Sequence, residues 1–135
     1  MKAIRLKTEH LSSPIGIDIT KPGLFWNCEG GMKQTAYQVL AADDTGRILW
    51  DSGKVESNAM RVSWGGEAVA AKTNVLWKVR LWDENSEAGD WAEASFETGI
   101  DDWQAKWIRG NYKVNRKQRY PVDCFHKKFD AADVK

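Results

Sequence analysis

Residues 75–83, VLWKVRLWD, decide the fold class, because they alternate apolar and charged side chains with a period of two. In an extended strand, one face would carry the apolar set Val75, Trp77, Val79 and Leu81. The opposite face would carry Lys78 and Arg80, a pattern typical of an antiparallel strand with one buried side and one side in water. Trp82 falls on the charged side, so we expect it to be partly exposed or covered by a neighbouring module.

The same alternation recurs along most of the first hundred residues. Strands are predicted around Ile4 and Leu6 and at residues 15–19, 24–28, 34–42, 47–52, 60–64, 75–83 and 91–98. Asp43-Asp44-Thr45-Gly46 is a strong hairpin-turn signal, since Asp and Gly tolerate left-handed backbone angles. The only candidate for a helical turn is residues 67–71. Short strands with turn signals about every 8–12 residues predict an all-β, immunoglobulin/fibronectin-III-like antiparallel β-sandwich with a C-terminal extension.

Charge divides the 135 residues into two parts. Residues 1–105 hold 11 Lys and Arg against 16 Asp and Glu, whereas residues 106–135 hold 9 against 3. We therefore predict a sandwich over 1–99 and, over 100–135, a connector and the first strand (Cys124 to Phe129) of a following module. The basic segment has no row of aromatic residues suited to base stacking, so nucleic acid is not a predicted partner.

The cysteines and the N-terminus bear on location. Cys28 and Cys124 lie on opposite sides of the charge boundary, and two cysteines are too few for a disulfide framework, so free thiols are expected. Residues 1–11 contain no apolar signal core, and no run approaches the roughly 18 apolar residues that span a membrane. These features favour a cytoplasmic protein without a membrane partner.

Several segments together point to a family. They are PGLFW at 22–26, QTAYQVL at 34–40, LWDSGKV at 49–55, WKVRLWD at 77–83, FETG at 96–99 and DWQAKWI at 102–108. In this order and spacing they resemble the N-terminal region of bacterial α-L-rhamnosidases, over about residues 4–129. The combination is specific, although each segment alone would be weak.

The resemblance implies a function that depends on a longer protein. Such enzymes open with a fibronectin-III-like module, continue with further β-sandwiches, and end in an α-helical barrel that hydrolyses terminal α-L-rhamnosides with inversion. The family's catalytic carboxylates lie in that barrel, beyond Lys135. The resemblance therefore implies a non-catalytic accessory domain whose partners are the following domains of the same enzyme, with any homo-oligomer formed through the parent protein.

The residue types and their spacing also predict no catalytic residue, metal ligand or cofactor. Inverting glycosidases need two carboxyl groups about 6.5–9.5 Å apart, one of them with a raised pKa. The acidic pairs 43–44, 83–84 and 101–102 all fall at turns, where Asp commonly accepts backbone hydrogen bonds and stays ionised. Cys124 and His126 do not supply the four ligands of a zinc site.

The eight tryptophans leave one alternative open. Trp26 and Trp77 share strand faces with aliphatic residues, which predicts core positions. Trp82, Trp103 and Trp107 are the candidates for contact with another domain or with carbohydrate. Packing is favoured because large aromatic side chains commonly fill cores and interfaces. An autonomous carbohydrate-binding module and a fibronectin-III-type protein-interaction domain are the alternatives.

Overall fold

The computed structural model describes residues 1–113, 115–117, 119 and 122–128. Its chain forms two compact units, Met1–Trp103 and Gln104–Lys135. The first unit contains the strands β1 Lys2–Thr8, β2 Gly23–Glu29, β3 Ala36–Asp43, β4 Ile48–Asp51, β5 Val55–Glu56, β6 Arg61–Ser63, β7 Asn74–Trp82 and β8 Ala92–Glu97. No α-helix occurs in the described ranges. These residues therefore contain no helix that is long and apolar enough to cross a bilayer.

The strands form two antiparallel sheets. One has the order β1-β2-β6, and the other has the order β4-β3-β7-β8, with β5 also pairing with β3. Every named pair is antiparallel. The predicted immunoglobulin-like β-sandwich is therefore confirmed.

The core lies between the two sheets, and β7 contributes to it as its alternation predicts. Its inward side chains, at most 1% exposed, are Val75, Trp77, Val79 and Leu81. The facing sheet supplies Leu24 and Trp26, which are also buried. The three indole N–H groups in this core have partners: Trp26 donates to Gln34 Oε1 at 3.1 Å, Trp77 to Thr8 Oγ1 at 3.2 Å, and Trp64 to Glu67 O at 2.7 Å. These bonds matter because an unpaired buried donor costs free energy.

A β-bulge breaks the alternation in β1. The pairing register with β2 shifts between Ile4 and Lys7, and Arg5 has a φ of 51°. As a result Ala3 and Thr8 are the buried residues of this strand, at positions that strict alternation would place on opposite faces. The extra residue re-aims Thr8 toward the Trp77 indole.

The predicted strand at residues 15–19 is wrong. The segment instead runs beside β8 through single hydrogen bonds: Ile17 N–H donates to Glu97 O at 3.0 Å, and Gly99 N–H donates to Ile17 O at 2.8 Å. Positive φ angles at Ser13 and Gly16 bend the chain on either side of Ile15, so the residues cannot form a regular ladder. Ile15 is consequently exposed.

The helical turn considered for residues 67–71 is also absent. The backbone there is irregular, and Val69 N–H donates to Thr20 O at 2.9 Å. Val69 is buried in the core cluster, so its anchoring takes the place of a local helical bond.

The second unit begins four residues after the predicted boundary at 99/100. Its described residues contain no strand; of the predicted strand, Cys124–Lys128 are described without one and Phe129 lies outside the described residues. A strand there would need a sheet to pair with. The role of residues 100–135 as a connector into a following module stays a prediction.

Candidate functional site

Trp82 lies on the outer face of the five-stranded sheet, as predicted, but it is covered by side chains of its own domain. It is 9% exposed. The Arg80 guanidinium lies 4.9 Å from the centroid of its ring, and Lys54 Nζ lies 5.2 Å from it. A sugar ring could not stack on an indole covered by two cations without displacing them.

The cover extends to a second tryptophan. The Arg80 guanidinium also lies 4.8 Å from the centroid of the Trp91 ring, and Lys78 Nζ lies 5.0 Å from that centroid. Cations and indole rings thus alternate in a cation–aromatic row made of Lys54, Trp82, Arg80, Trp91 and Lys78. Each such contact contributes about 0.5–2 kcal/mol, depending on its exposure.

Hydrogen bonds hold the middle of the row in place. Arg80 Nε and Nη2 donate to Gln38 Oε1 at 3.1 and 2.8 Å, and Gln38 Nε2 donates to Asp51 Oδ1 at 2.8 Å. Gln38 and Arg80 are direct cross-strand neighbours. The sequence does place Lys78, Arg80 and Trp82 on one strand face, but the contributions of Lys54 and Trp91 were not predicted.

The same outer face is apolar and open farther along β7. An apolar strip crosses three strands there, and its members are Leu40, Ala42, Ile48 and Leu76. Ala42 pairs with both Ile48 and Leu76, which are exposed. Together with Lys78 and Glu93, these side chains line a concavity of about 260 Å³. Solvent-facing sheet positions are usually polar, so the strip is a candidate contact surface.

Trp103 and Trp107 are both exposed, and each belongs to a different unit. Trp103 is 68% exposed and borders a concavity that Asp18, Lys72 and Ile100 also line. Trp107 is fully exposed in the second unit. Of the three predicted contact residues, the structure leaves these two uncovered.

The Asp43 carboxylate organises the β3–β4 hairpin. It accepts the Thr45 hydroxyl and the backbone N–H groups of Thr45 and Arg47, and its second oxygen accepts Arg47 Nε at 3.1 Å. The hydrogen bond from the Thr45 hydroxyl, followed by those from Arg47, holds the pKa of Asp43 below its usual range. A general acid needs a raised pKa, so Asp43 is set for a structural role.

Neither of the acidic pairs 83–84 and 101–102 has the buried carboxyl group expected of a general acid. Asp83 Oδ1 accepts the N–H groups of Asn85 and Glu87, each at 2.9 Å. Backbone N–H groups of Glu84 itself, Met32 and Lys33 lower the pKa of the Glu84 carboxyl. Asp101 and Asp102 are exposed. Among the described residues, no group of three or more His, Cys, Asp or Glu is placed to hold a metal ion.

The chain matches a known protein family. Residues 3–102 match the model of the Rha78A-like, N-terminal immunoglobulin domain. An α-L-rhamnosidase of Streptomyces avermitilis is 35% identical over 123 residues, which cover 80% of this chain and 12% of that protein. An α-L-rhamnosidase of Formosa agariphila is 37% identical over 112 residues, which cover 72% of this chain and 12% of that protein.

Solved structures agree. The α-L-rhamnosidase from Dictyoglumus thermophilum has a TM-score of 0.73 and 32% identity, over 81% of this chain and 14% of that one. The Streptomyces avermitilis α-L-rhamnosidase complexed with L-rhamnose has a TM-score of 0.71 and 33% identity, over 80% and 12%. The chain thus spans about 12% of the curated relatives it matches. It belongs to the family of Rha78A-like N-terminal immunoglobulin domains.

Proposed function

We propose that this chain is the non-catalytic N-terminal domain of an α-L-rhamnosidase, the larger part of which performs the hydrolysis of terminal α-L-rhamnosides. The observation that carries the proposal is the family match over residues 3–102, combined with relatives of which the chain spans about 12%. The acidic pairs support it, because the carboxylates of Asp43 and Glu84 accept backbone hydrogen bonds and have lowered pKa values.

The role we propose is mechanical: the sandwich presents fixed surfaces to the following domains of the same polypeptide. Two surfaces suit this role, the apolar strip on the outer sheet face and the exposed indoles of Trp103 and Trp107. Buried aromatic side chains contribute strongly to interfaces. The sheet behind the strip is held by the continuous β3–β7 pairing from Ala36 to Asp43, so it offers a rigid support.

A hydrolysis assay tests the catalytic part of this proposal. The purified chain is incubated with 4-nitrophenyl α-L-rhamnopyranoside, beside the Streptomyces avermitilis relative as the positive control. No release of nitrophenol above the buffer rate is expected from the chain alone. Release that scales with the concentration of the chain would contradict the proposal.

Carbohydrate binding is the second candidate, and the exposure of Trp103 beside Asp18 and Lys72 favours it. An indole face can stack on the apolar face of a sugar ring, while a few neighbouring polar groups fix the orientation of the ligand. Titration with L-rhamnose, followed by tryptophan fluorescence, distinguishes the two functions. A saturable change that disappears in Trp103→Ala would support binding, whereas a flat titration to high millimolar rhamnose leaves the accessory role.

We also propose a cytoplasmic location and self-association only through the longer enzyme. The free thiols of Cys28 and Cys124 support the location, because reduced cysteines are typical of a reducing compartment. Fractionation of cells that express the native gene tests it. The isolated chain should sediment as a monomer, and a concentration-dependent dimer would contradict the second part.

A further inference from the structure

All three methionines of the chain and one of its two cysteines line a single concavity of about 290 Å³. Met1 precedes β1, Cys28 lies near the end of β2, Met32 follows β2, and Met60 precedes β6. We refer to these four residues as the sulfur pocket. They come from three separate segments, and their spacing matches no metal-binding sequence motif.

Cys28 is held at this pocket by the sheet and by a buried glutamine. It pairs with Ala3 across β1 and β2, and its thiol donates to Gln34 Oε1 at 3.2 Å. Gln34 is buried, and its amide donates to Ser57 O at 3.0 Å and to Ala59 O at 2.9 Å. The same glutamine therefore fixes both the Cys28 sulfur and the segment that leads to Met60.

The backbones of the methionines are anchored as well. Trp26 N–H donates to Met60 O at 3.1 Å, and Met32 N–H donates to Glu84 Oε2 at 3.0 Å. Met1 packs against Gly31, where a Cβ would lie 2.9 Å from Met1 Cε. A Cβ on Gly89 would collide with the Met1 carbonyl oxygen, so the absence of a side chain there also makes room for Met1.

The side chains keep the freedom that ion capture requires. Met32 is 92% exposed and Met60 is also exposed, whereas Met1 and Cys28 are half-buried. Methionine has three rotatable bonds, so its thioether can swing onto an ion held at the anchored sulfur. The half-buried Met1 and Cys28 would receive the ion, and the exposed Met32 and Met60 side chains would rotate onto it.

Thioether and thiolate sulfurs are soft ligands, and they select Cu(I) over hard cations that prefer oxygen. We propose that the sulfur pocket binds one monovalent soft metal ion, Cu(I), through the Cys28 sulfur and the methionine thioethers. On binding, the Cys28 S–H bond is replaced by a sulfur–metal bond and the proton passes to solvent. This site is independent of the accessory role proposed above.

Silver ion tests the proposal, because Ag⁺ has the same soft chemistry and is not reduced or oxidised in the titration. The full chain is used with Cys124→Ser, since Cys124 is an exposed thiol that would bind silver by itself. With ¹³C-methyl methionine, the chain gives three methyl resonances, one for each methionine. All three should shift together and stop shifting at one equivalent of Ag⁺.

Two variants separate the pocket from a simple thiol. In the same background, Met32→Leu/Met60→Leu should weaken Ag⁺ binding by at least about tenfold, or 1.4 kcal/mol. Leucine keeps the volume and apolarity of methionine, so the fold should persist. Leu76→Met, which adds a thioether on the outer sheet face, is the matched control and should leave the affinity unchanged.

Cys28→Ser should abolish the one-equivalent end point of the methyl shifts. Unchanged affinity in the double leucine variant would mean that the Met32 and Met60 thioethers do not bind the ion, and the proposal would be overturned. Methyl resonances that stay still while silver binds, or that shift without saturation, would overturn it equally.

Discussion

Trp77 and Trp82 lie on the same strand, on opposite faces, and both are largely hidden from water for different reasons. Trp77 is 1% exposed because two sheets close over it, and its indole N–H donates to Thr8 of the other sheet. Trp82 is 9% exposed because Arg80 and Lys54 lie over its ring. The first burial depends on the fit of the whole core, and the second depends on a few long side chains.

Trp103 differs from both of these residues. It is 68% exposed, so its own unit covers far less of it than of Trp77 or Trp82. The core covers the indole of Trp77, and cations cover the indole of Trp82, so both rings are shielded from water within the domain. Of these three indoles, only that of Trp103 is still available for a partner. A high tryptophan content therefore does not by itself indicate a binding platform, and only the cover over each ring distinguishes the cases.

The largest effect is expected from the inner tryptophan. Trp77→Ala removes a large buried side chain and leaves a cavity between the sheets, so the free energy of unfolding should fall by about 3–5 kcal/mol. Urea denaturation followed by circular dichroism measures it. Trp77→Phe should lose less and keeps the test usable if the alanine variant does not fold. A loss no greater than that of Arg80→Met would contradict the claim that the core burial of Trp77 contributes more to stability than the cations over Trp82.

Arg80→Met should have a smaller effect on stability. The change keeps an apolar side chain of similar length but removes the cation from both Trp82 and Trp91, for an expected loss of about 1–2 kcal/mol for the two contacts. It should also make Trp82 more accessible to acrylamide quenching. Lys72→Met, at an exposed position outside the cation–aromatic row, is the control and should change neither quantity.

The pH dependence of stability should contain a contribution from Asp43. Its pKa is lowered in the folded protein, so the ionised carboxylate stabilises the fold at a pH above the unfolded-state pKa, about 3.9. That stabilisation is lost as the pH falls through the lowered folded pKa. In wild type, the midpoint of thermal unfolding should fall as the pH drops below about 4, and Asp43→Asn should make this fall less steep. Asp44→Asn changes the exposed neighbour, and an equal flattening there would contradict the assignment.

The smallest effect on stability is expected at the exposed indole. Trp103→Ala should change the free energy of unfolding by less than about 0.5 kcal/mol, because surface substitutions away from special contacts rarely exceed that value. Thermal denaturation measures it. A loss comparable to that of Arg80→Met would show that Trp103 stabilises the sandwich and would weaken its assignment as a docking residue.

The alternation of residues 75–83 was enough to predict the sheet class and the inward face of β7, since successive side chains of a strand must point to opposite sides. The same rule failed at the N-terminus. The bulge beside Arg5 changes which side chains of β1 point into the core. Gly16 bends a segment whose isoleucines alternate as they would in a strand. Alternation shows which face is apolar, but it does not show whether a partner strand is present to pair with.

The order of apolar and polar residues therefore determined the sandwich, its main buried side chains and, through several motifs, its family. Only the tertiary structure decided that Lys54 covers Trp82, that Ile48 joins Leu76 in an open strip, and that Met1 and Cys28 line one concavity. Local rules act between neighbours in the chain, whereas these contacts join distant segments whose meeting depends on how the two sheets pair and pack.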